Sequence, residues 1–231
     1  MKNNQYFAQL HLHTSNTSAC GSSTGGEMAR ACRNAGYDVV VITDHFMNAN
    51  IACPPSMSWR EKVHFLFAGY REAKAVGDRI GLTVLKGWET CNDGPDYLTY
   101  GLDESFLLDN PDIARVSGDE YLRRVREAGA FVCHAHPYRQ APYIPPFVPD
   151  HAHVDAFEVI NASHEDVSWD QRALATAMEH DLIMLAGSDA HNVREVYGGG
   201  MLLPDKPYDI DDLIAMLRAR ECKMVPSMLM V

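Results

Sequence analysis

Histidine and acidic residues recur in this sequence directly after short apolar runs, and their types are those that bind metal ions. His11 and His13 follow the first run, and residues two apart in an extended strand point to the same face. Two imidazoles side by side make half of a tetrahedral metal site. Four later runs end in similar residues: Thr43-Asp44-His45, Trp88-Glu89, His134-Ala135-His136 and Asp189-Ala190-His191. Five such endings indicate one shared site rather than scattered surface histidines.

The candidate ligands are several His, one Glu and one Asp, and this mixture suits Zn²⁺, Mn²⁺ or Fe. Seven or more ligands are too many for one ion, so we expect two or three divalent metals that share bridging carboxylates or water. Asp44 and His45 are neighbours and point opposite ways in a strand. We therefore expect His45 to bind metal and Asp44 to support catalysis by orienting a metal-bound imidazole.

The elements that must position these residues alternate between strand and helix. Strands are predicted near residues 6–12, 38–43, 82–85, 97–100, 131–133, 154–160, 182–186 and 223–225. Helices are predicted near 27–34 and 59–76, after Ser117, after Ser168 and over 209–220, and Ser58/Glu61, Ser117/Glu120 and Ser168/Gln171 have capping-box spacing. Alternation of this kind predicts βαβ units and a parallel sheet. The predicted fold is α/β, a distorted (βα)7 barrel formed by a single domain over residues 1–231.

In parallel barrels the chemistry lies at the C-terminal ends of the strands, and each candidate ligand follows a predicted strand. His151 and His153 instead precede the 154–160 strand, so we expect them away from the site. His164 follows that strand and is a further candidate for contact with substrate. His134 shares a strand face with His136 one pleat deeper, and we expect it to lie behind the ligands.

The net charge, the cysteine spacing and the lengths of the apolar runs narrow the functions that this protein could have. The net charge of −11 argues against nonspecific nucleic-acid binding, and no nucleic-acid duplex is expected as a partner. Six cysteines without a C-x-x-C pair predict neither a structural zinc knuckle nor a disulfide framework. No apolar run approaches the roughly 18 residues of a membrane span. We expect a reduced, cytoplasmic protein that does not contact membranes, of unknown oligomeric state.

Taken together, His11-x-His13, Thr43-Asp44-His45, Glu89, His136-Pro137 and Asp189-Ala190-His191 resemble the motifs of the PHP (polymerase and histidinol phosphatase) family, in the family's order. The resemblance implies a distorted seven-stranded barrel with a two- or three-metal site that hydrolyses phosphoesters. It implies that one metal is bound by His11, His13, Glu89 and Asp189. It also implies a second metal on His45 and His191, and a third on Glu89 and His136.

Two positions depart from the family pattern. Many members continue the first motif with an Asp or His a few residues on, where this chain reads Thr17-Ser18-Ala19-Cys20-Gly21. Either Cys20 or water could take that ligand's place. Some members carry a His before the fourth strand, where this chain has Asp96, and a carboxylate could substitute there.

The expected function is metal-dependent hydrolysis of a phosphoester in a small phosphorylated metabolite, by metal-activated hydroxide. Arg139 and Arg194 follow ligand motifs and could bind phosphate oxygens, and Asn161 could position substrate. Nucleotides, histidinol phosphate and sugar phosphates all remain open as substrates. One alternative is an amidohydrolase-type C–N hydrolase, although Lys86 is the only lysine near a strand end. The other is a non-catalytic metal-binding accessory module.

Overall fold

The computed structural model describes residues 5–92 and 94–226. Its strands are β1 (Tyr6–Gln9), β2 (Val39–Ile42), β3 (Thr83–Cys91), β4 (Asp96–Tyr100), β5 (Phe131–Ala135), β6 (Ala156–Asn161), β7 (Ile183–Gly187), β8 (Gly200–Leu203) and β9 (Lys223–Val225). Its helices are α1 (Gly25–Asn34), α2 (Trp59–Leu66), α3 (Ala68–Ile80), α4 (Glu104–Asp109), α5 (Gly118–Glu127), α6 (Val167–Glu179) and α7 (Ile210–Arg218), with a 3₁₀ turn at Ile113–Arg115.

The nine strands form one sheet in the order β7-β6-β5-β4-β3-β2-β1-β8-β9. Strands β1 to β3 pair in parallel, as do β5 to β7, whereas β4 is antiparallel to both of its neighbours. Beyond the ends of β1 and β7, Leu12 bridges Ala190 in parallel, and the His13 N–H donates to the Ala190 carbonyl at 2.9 Å. This bridge nearly closes the sheet into a barrel at the C-terminal ends of its parallel strands.

The core packs the helices against both faces of this sheet. Strand β2 is buried along its whole length, as expected for a central parallel strand. One cluster of buried side chains joins α1 and α3 to the sheet, another joins α7, and the largest joins α2, α5 and α6 around Trp88. The Trp88 indole N–H donates to the Tyr121 hydroxyl at 2.7 Å, so this buried ring leaves no unpaired donor.

The mixed α/β fold and its barrel-like sheet agree with the sequence prediction, but several elements differ. Strands β3 and β4 form a hairpin with no helix between them, so strict βα alternation fails there. The predicted 59–76 helix is interrupted at Phe67, which is buried and packs its ring edge-on against Trp88 at 6.2 Å. The Ser168/Gln171 box is wrong, because the Asp166 side chain caps α6. Strand β8 and helix α4 were not predicted.

Two further sequence expectations concern cysteine and membranes. All six cysteines are free, in agreement with the prediction that no disulfide framework exists. Within the described ranges, no helix combines the length and the apolar character needed to cross a membrane.

Candidate metal centre

Seven side chains from the ends of five strands meet in one cluster: His11, His13, His45, Glu89, His136, Asp189 and His191. His45 and His191 are half-buried, and the other five are buried. These are the predicted metal ligands. They form three groups whose ligand atoms lie within 4.8 Å of one another: His13, His45 and His191; His11, His13 and Asp189; and His11, Glu89 and His136. Because the groups share His11 and His13, they describe one continuous centre.

Glu89 is the carboxylate through which these groups connect. Its Oε1 lies 3.3 Å from His11 Nε2 and 3.1 Å from His136 Nε2. Its Oε2 lies 3.3 Å from His13 Nε2 and 2.9 Å from His45 Nδ1. Burial raises the pKa of Glu89, but the charge of His11 and hydrogen bonds from the surrounding imidazoles hold it well below its ordinary value. An ionised carboxylate with four imidazoles around its two oxygens has the arrangement of a bridging ligand.

Backbone bonds between strands set these side chains in place. His45 bridges Glu89 in parallel, and the Asp189 N–H donates to the His11 carbonyl at 3.0 Å. His136 and Asp189 also adopt positive φ angles of 32° and 52°, which non-glycine residues rarely do. Backbone conformations of this kind cost on the order of 1–3 kcal/mol and cluster at functional sites. These strained conformations therefore occur at the same strand ends where the motifs place candidate metal ligands.

Glu158, on β6, belongs to the site although the motif analysis did not single it out. Its Oε1 accepts from His11 Nδ1 at 3.0 Å, and its Oε2 accepts from the His136 N–H at 3.1 Å and from Asn161 Nδ2 at 2.8 Å. A carboxylate bonded to Nδ1 leaves the Nε2 lone pair of His11 free to bind metal. The available signal was a single Glu within the apolar run Ala156–Asn161.

Asp44 is buried behind the cluster and acts on it through Ser18. Its carboxylate accepts from the Thr14 N–H, the Thr14 hydroxyl and the Ser18 hydroxyl, each at 2.7 Å. The Ser18 Oγ in turn accepts from the His45 N–H at 3.0 Å and lies 3.3 Å from His13 Nδ1. Burial raises the pKa of Asp44 to about 6 against the opposing effect of these hydrogen bonds. The contact with the imidazoles is thus indirect, not the direct one expected.

Arg139 lies against the centre, whereas Arg194 does not. Arg139 Nη2 donates to Asp189 Oδ2 at 2.6 Å, to Ser163 Oγ at 2.6 Å and to Asn161 Oδ1 at 3.1 Å. This places Asn161 beside both Arg139 and Asp189. Arg194 is exposed in the loop after His191, and no bond within the described residues ties its guanidinium to the cluster. The proposed phosphate contact of Arg194 stays a prediction.

Cys20 and Asp96 border the cluster at the two positions where the family pattern is broken. Burial raises the pKa of the Cys20 thiol, but hydrogen bonding with His191 and His45 outweighs it and lowers that pKa to about 6. Asp96 Oδ2 lies 3.8 Å from His136 Nε2, and burial followed by the charge of Glu89 raises the pKa of Asp96.

The remaining histidines lie outside the cluster. His153 pairs with Asp150 at 2.9 Å, and His151 stacks on His180 with ring centroids 3.6 Å apart. His134 is buried among the rings of Tyr97, Phe147 and Phe157 and does not stand directly behind a ligand. His164 Nδ1 lies 2.7 Å from Asp170 Oδ1, which accepts its hydrogen bond, and the His164 ring centroid lies 6.4 Å from that of His136.

The charge of the cluster fits divalent cations. Asp189, Glu89 and Glu158 are buried, and neighbouring imidazoles hold the pKa of each below its ordinary value against the effect of burial. Three ionised carboxylates within one buried site are costly unless cations compensate them. His and carboxylate donors at these separations suit Zn²⁺, Mn²⁺ or Fe, and the overlap of the three groups suits more than one ion.

Comparison with known proteins supports this reading. Residues 168–222 match a family model described as PHP-associated. No curated protein sequence matches the chain. A two-domain Bacteroides vulgatus protein, described as containing a predicted PHP-like metal-dependent phosphoesterase, superposes with a TM-score of 0.70 at 15% identity over 97% of this chain. The chain spans 65% of that protein's length. The family model and this neighbour confirm the PHP resemblance that the motifs predicted.

Two other solved structures share the fold but have different described activities. An amidohydrolase from Chromobacterium violaceum matches with a TM-score of 0.55 at 15% identity, over 95% of this chain and 97% of its own. A lesion-specific endonuclease from Pyrococcus furiosus matches with a TM-score of 0.63 at 14% identity, over 95% of this chain and 57% of its own. At these identities the likeness shows a common fold, so the bond that is hydrolysed must be argued from this chain's own site.

Proposed function

We propose that this PHP-like chain is a metal-dependent phosphoesterase acting on a small phosphorylated metabolite. The observation that carries the proposal is the largely buried cluster of three overlapping ligand groups, with an arginine bonded to one of its carboxylates. We also propose that β1 to β7 act as the seven-stranded barrel, closed by the Leu12–Ala190 bridge, that holds this cluster.

The ligands divide among two or three divalent ions. His11, His13, Glu89 and Asp189 would hold the first, His45 and His191 the second, and Glu89 with His136 the third. When bound, such ions lower the pKa of water, polarise phosphoryl oxygens and stabilise the leaving oxygen. Zn²⁺, Mn²⁺ and Fe are all compatible with this donor set.

The other residues of the site would bind the phosphoryl group or orient the histidines that hold the metals. Arg139 carries a planar guanidinium beside Asp189, where it would donate to non-bridging phosphoryl oxygens. Asn161 shares contacts with both of these residues and would help to fix the same group. Glu158 would keep His11 in the tautomer that presents Nε2, and Asp44 would hold His13 and His45 through Ser18.

A cleft beside Arg139 supports a small substrate. It has a volume of about 390 Å³ and is lined by Arg139, Arg172, Tyr138, Phe147 and the prolines of the 137–149 loop. A cleft of that size holds a metabolite-sized group, and its polar and apolar walls suit the leaving group of a phosphoester. Nucleotides, histidinol phosphate and sugar phosphates are the candidate substrates. A cytoplasmic location and the exclusion of nucleic-acid duplexes belong to the same proposal.

Amide hydrolysis is the second candidate, because one structural neighbour is described as an amidohydrolase. The sites of such enzymes usually add a lysine bridge between metals. The lysine that the sequence offers, Lys86, places its ammonium over the rings of Phe67 and Tyr70, at 4.9 and 5.9 Å from their centroids. Lys86 is not part of the ligand cluster, which favours the phosphoester.

The test is a phosphate-release screen over a metabolite panel, run beside a panel of amides, with metal content measured on the same protein. Arg139→Ala should lower kcat/KM on the best phosphoester, because a charge-assisted hydrogen bond contributes about 1.5–3 kcal/mol. That range corresponds to a loss of about 10- to 160-fold in kcat/KM. Arg123→Ala, which removes an exposed guanidinium on α5, is the control and should leave kcat/KM unchanged. Amide turnover without phosphate release would overturn the proposal.

A further inference from the structure

The cleft beside Arg139 is lined by cationic side chains although the protein as a whole is acidic. Two of its walls carry the guanidinium groups of Arg139 and Arg172, and none of the described residues that line it is Asp or Glu. The chain has 31 Asp and Glu residues against 20 Lys and Arg, so this lining departs from the average of the protein. A cleft lined by one sign of charge concentrates ligands of the opposite sign, which here are anions.

The two arginines differ in the partners that they already have. Arg139 is half-buried and pairs with Asp189 at 2.6 Å, at the edge of the metal centre. Arg172 lies on α6 and is exposed, and no carboxylate of the described residues pairs with its guanidinium. The donors of Arg172 are therefore available to a ligand that enters the cleft.

Tyr138 holds the guanidinium of Arg172 at the wall of the cleft. Arg172 Cζ lies over the Tyr138 ring, 4.3 Å from its centroid. The Tyr138 hydroxyl is bonded to Thr176 Oγ1 at 2.6 Å, and Thr176 follows Arg172 by one turn of α6. A guanidinium that lies over an aromatic ring keeps the N–H donors at its edge free. Arg172 is thus ordered before a ligand binds, which reduces the entropy lost on binding.

The segment that carries Tyr138 also connects this wall to the metal centre. Tyr138 comes two residues after the candidate ligand His136, and the Arg139 N–H donates to the His136 carbonyl at 3.0 Å. Both guanidinium groups line one cleft of about 390 Å³. A cleft of this size holds a metabolite that presents one anionic group to Arg139 and the metals and another to Arg172.

We propose that Arg172 binds a second anionic group, a carboxylate or a phosphate, on the leaving group of the substrate. Either group accepts paired hydrogen bonds from a planar guanidinium. The inference rests on the proposed phosphoesterase function and narrows its substrate class to bisphosphates and phosphorylated carboxylic acids. Histidinol phosphate is disfavoured, because its leaving group carries an ammonium group.

The test compares phenyl phosphate with 3-carboxyphenyl phosphate and with 1,3-phenylene bisphosphate, hydrolysed by the full-length protein loaded with Zn²⁺. The added anion should raise kcat/KM at least about tenfold in one arm or in both, after correction for the two equivalent esters of the bisphosphate. The arm that responds identifies the second anion as carboxylate or phosphate. Arg172→Gln should reduce the ratio to about one. Arg126→Gln, which changes an exposed arginine on α5, is the matched control and should keep the ratio.

A wild-type ratio near one in both arms, or a ratio that Arg172→Gln retains, would overturn the inference. Calorimetric binding of benzylphosphonate and 3-carboxybenzylphosphonate, which are not hydrolysed, separates it from the proposed function. If the carboxylated analogue binds about tenfold more tightly to the wild type than to Arg172→Gln while no ester is hydrolysed, the anion site stands and the phosphoesterase proposal fails. Equal binding of that analogue to both proteins, with esters hydrolysed, would refute the anion site alone.

Discussion

Replacing Glu158 by Gln should weaken metal binding without removing a ligand. The carboxylate has three donors to satisfy: His11 Nδ1 on one oxygen, and the His136 N–H and Asn161 Nδ2 on the other. Gln keeps the shape but has one oxygen and one NH₂ group. The orientation that satisfies more hydrogen bonds turns the amide oxygen toward the His136 N–H and Asn161 Nδ2. The NH₂ group of the amide then faces His11 Nδ1.

That orientation forces His11 Nδ1 to accept, which moves the ring proton to Nε2, the nitrogen nearest Glu89 and Asp189. To bind metal through Nε2, His11 must then return its ring proton to Nδ1. That buried N–H would face the NH₂ group of the introduced amide, so neither donor would have an acceptor. Loss of an outer partner of a ligating His typically costs 10–100-fold in metal affinity. The expected cost is therefore about 1.4–2.7 kcal/mol.

The assay is competition of purified Glu158→Gln with a chelator of known zinc affinity, with ¹⁵N shifts of the His11 ring reporting the tautomer. Glu127→Gln, which removes an exposed carboxylate paired with Arg123, is the control and should bind zinc like the wild type. Circular dichroism checks that both variants fold. Zinc affinity of Glu158→Gln within about twofold of the wild type would refute the orienting argument.

Two other variants test the packing of α3 and the assignment of the site to the C-terminal ends of the strands. A Cβ at Gly69 would overlap Thr14 Oγ1, so Gly69→Ala should lower the free energy of unfolding in a urea titration by about 1–3 kcal/mol. Gly118→Ala, whose Cβ would lie 3.3 Å from Asn92 Cβ, should lower it less. Equal stabilities of the two variants would contradict the close approach of α3. The double variant His151→Ala/His153→Ala should keep its metal content and phosphate release, and loss of either by a folded variant would show that these residues are not remote from the site.

The cluster of candidate ligands at the strand ends could be predicted from the sequence because these residues obey local rules. Side chains alternate along a strand, so His11 and His13 share a face wherever that strand lies. Parallel strands place their C-terminal ends at one rim, so Glu89, Asp189 and His191 gather there without knowledge of any contact. The structure brings all of them into one cluster, as both rules require.

The parts that the sequence did not predict depend on contacts between distant residues. Glu158 is one carboxylate in an apolar strand, and only the fold shows that it faces His11. The route from Asp44 to the imidazoles passes through Ser18, 26 positions away, and nothing local encodes it. Strand β8 is four residues long and is stabilised by pairing with β1 and β9, not by a pattern of its own.

The most direct test of the central claim is a crystal structure of the protein grown with Zn²⁺, with anomalous diffraction recorded on both sides of the zinc absorption edge. The account predicts two or three anomalous peaks within the cluster, each about 2.0–2.2 Å from imidazole or carboxylate donors. One of these peaks should contact His11, His13, Glu89 and Asp189. Peaks found only elsewhere, such as at the stacked pair His151 and His180, or no peak at the strand ends, would contradict it.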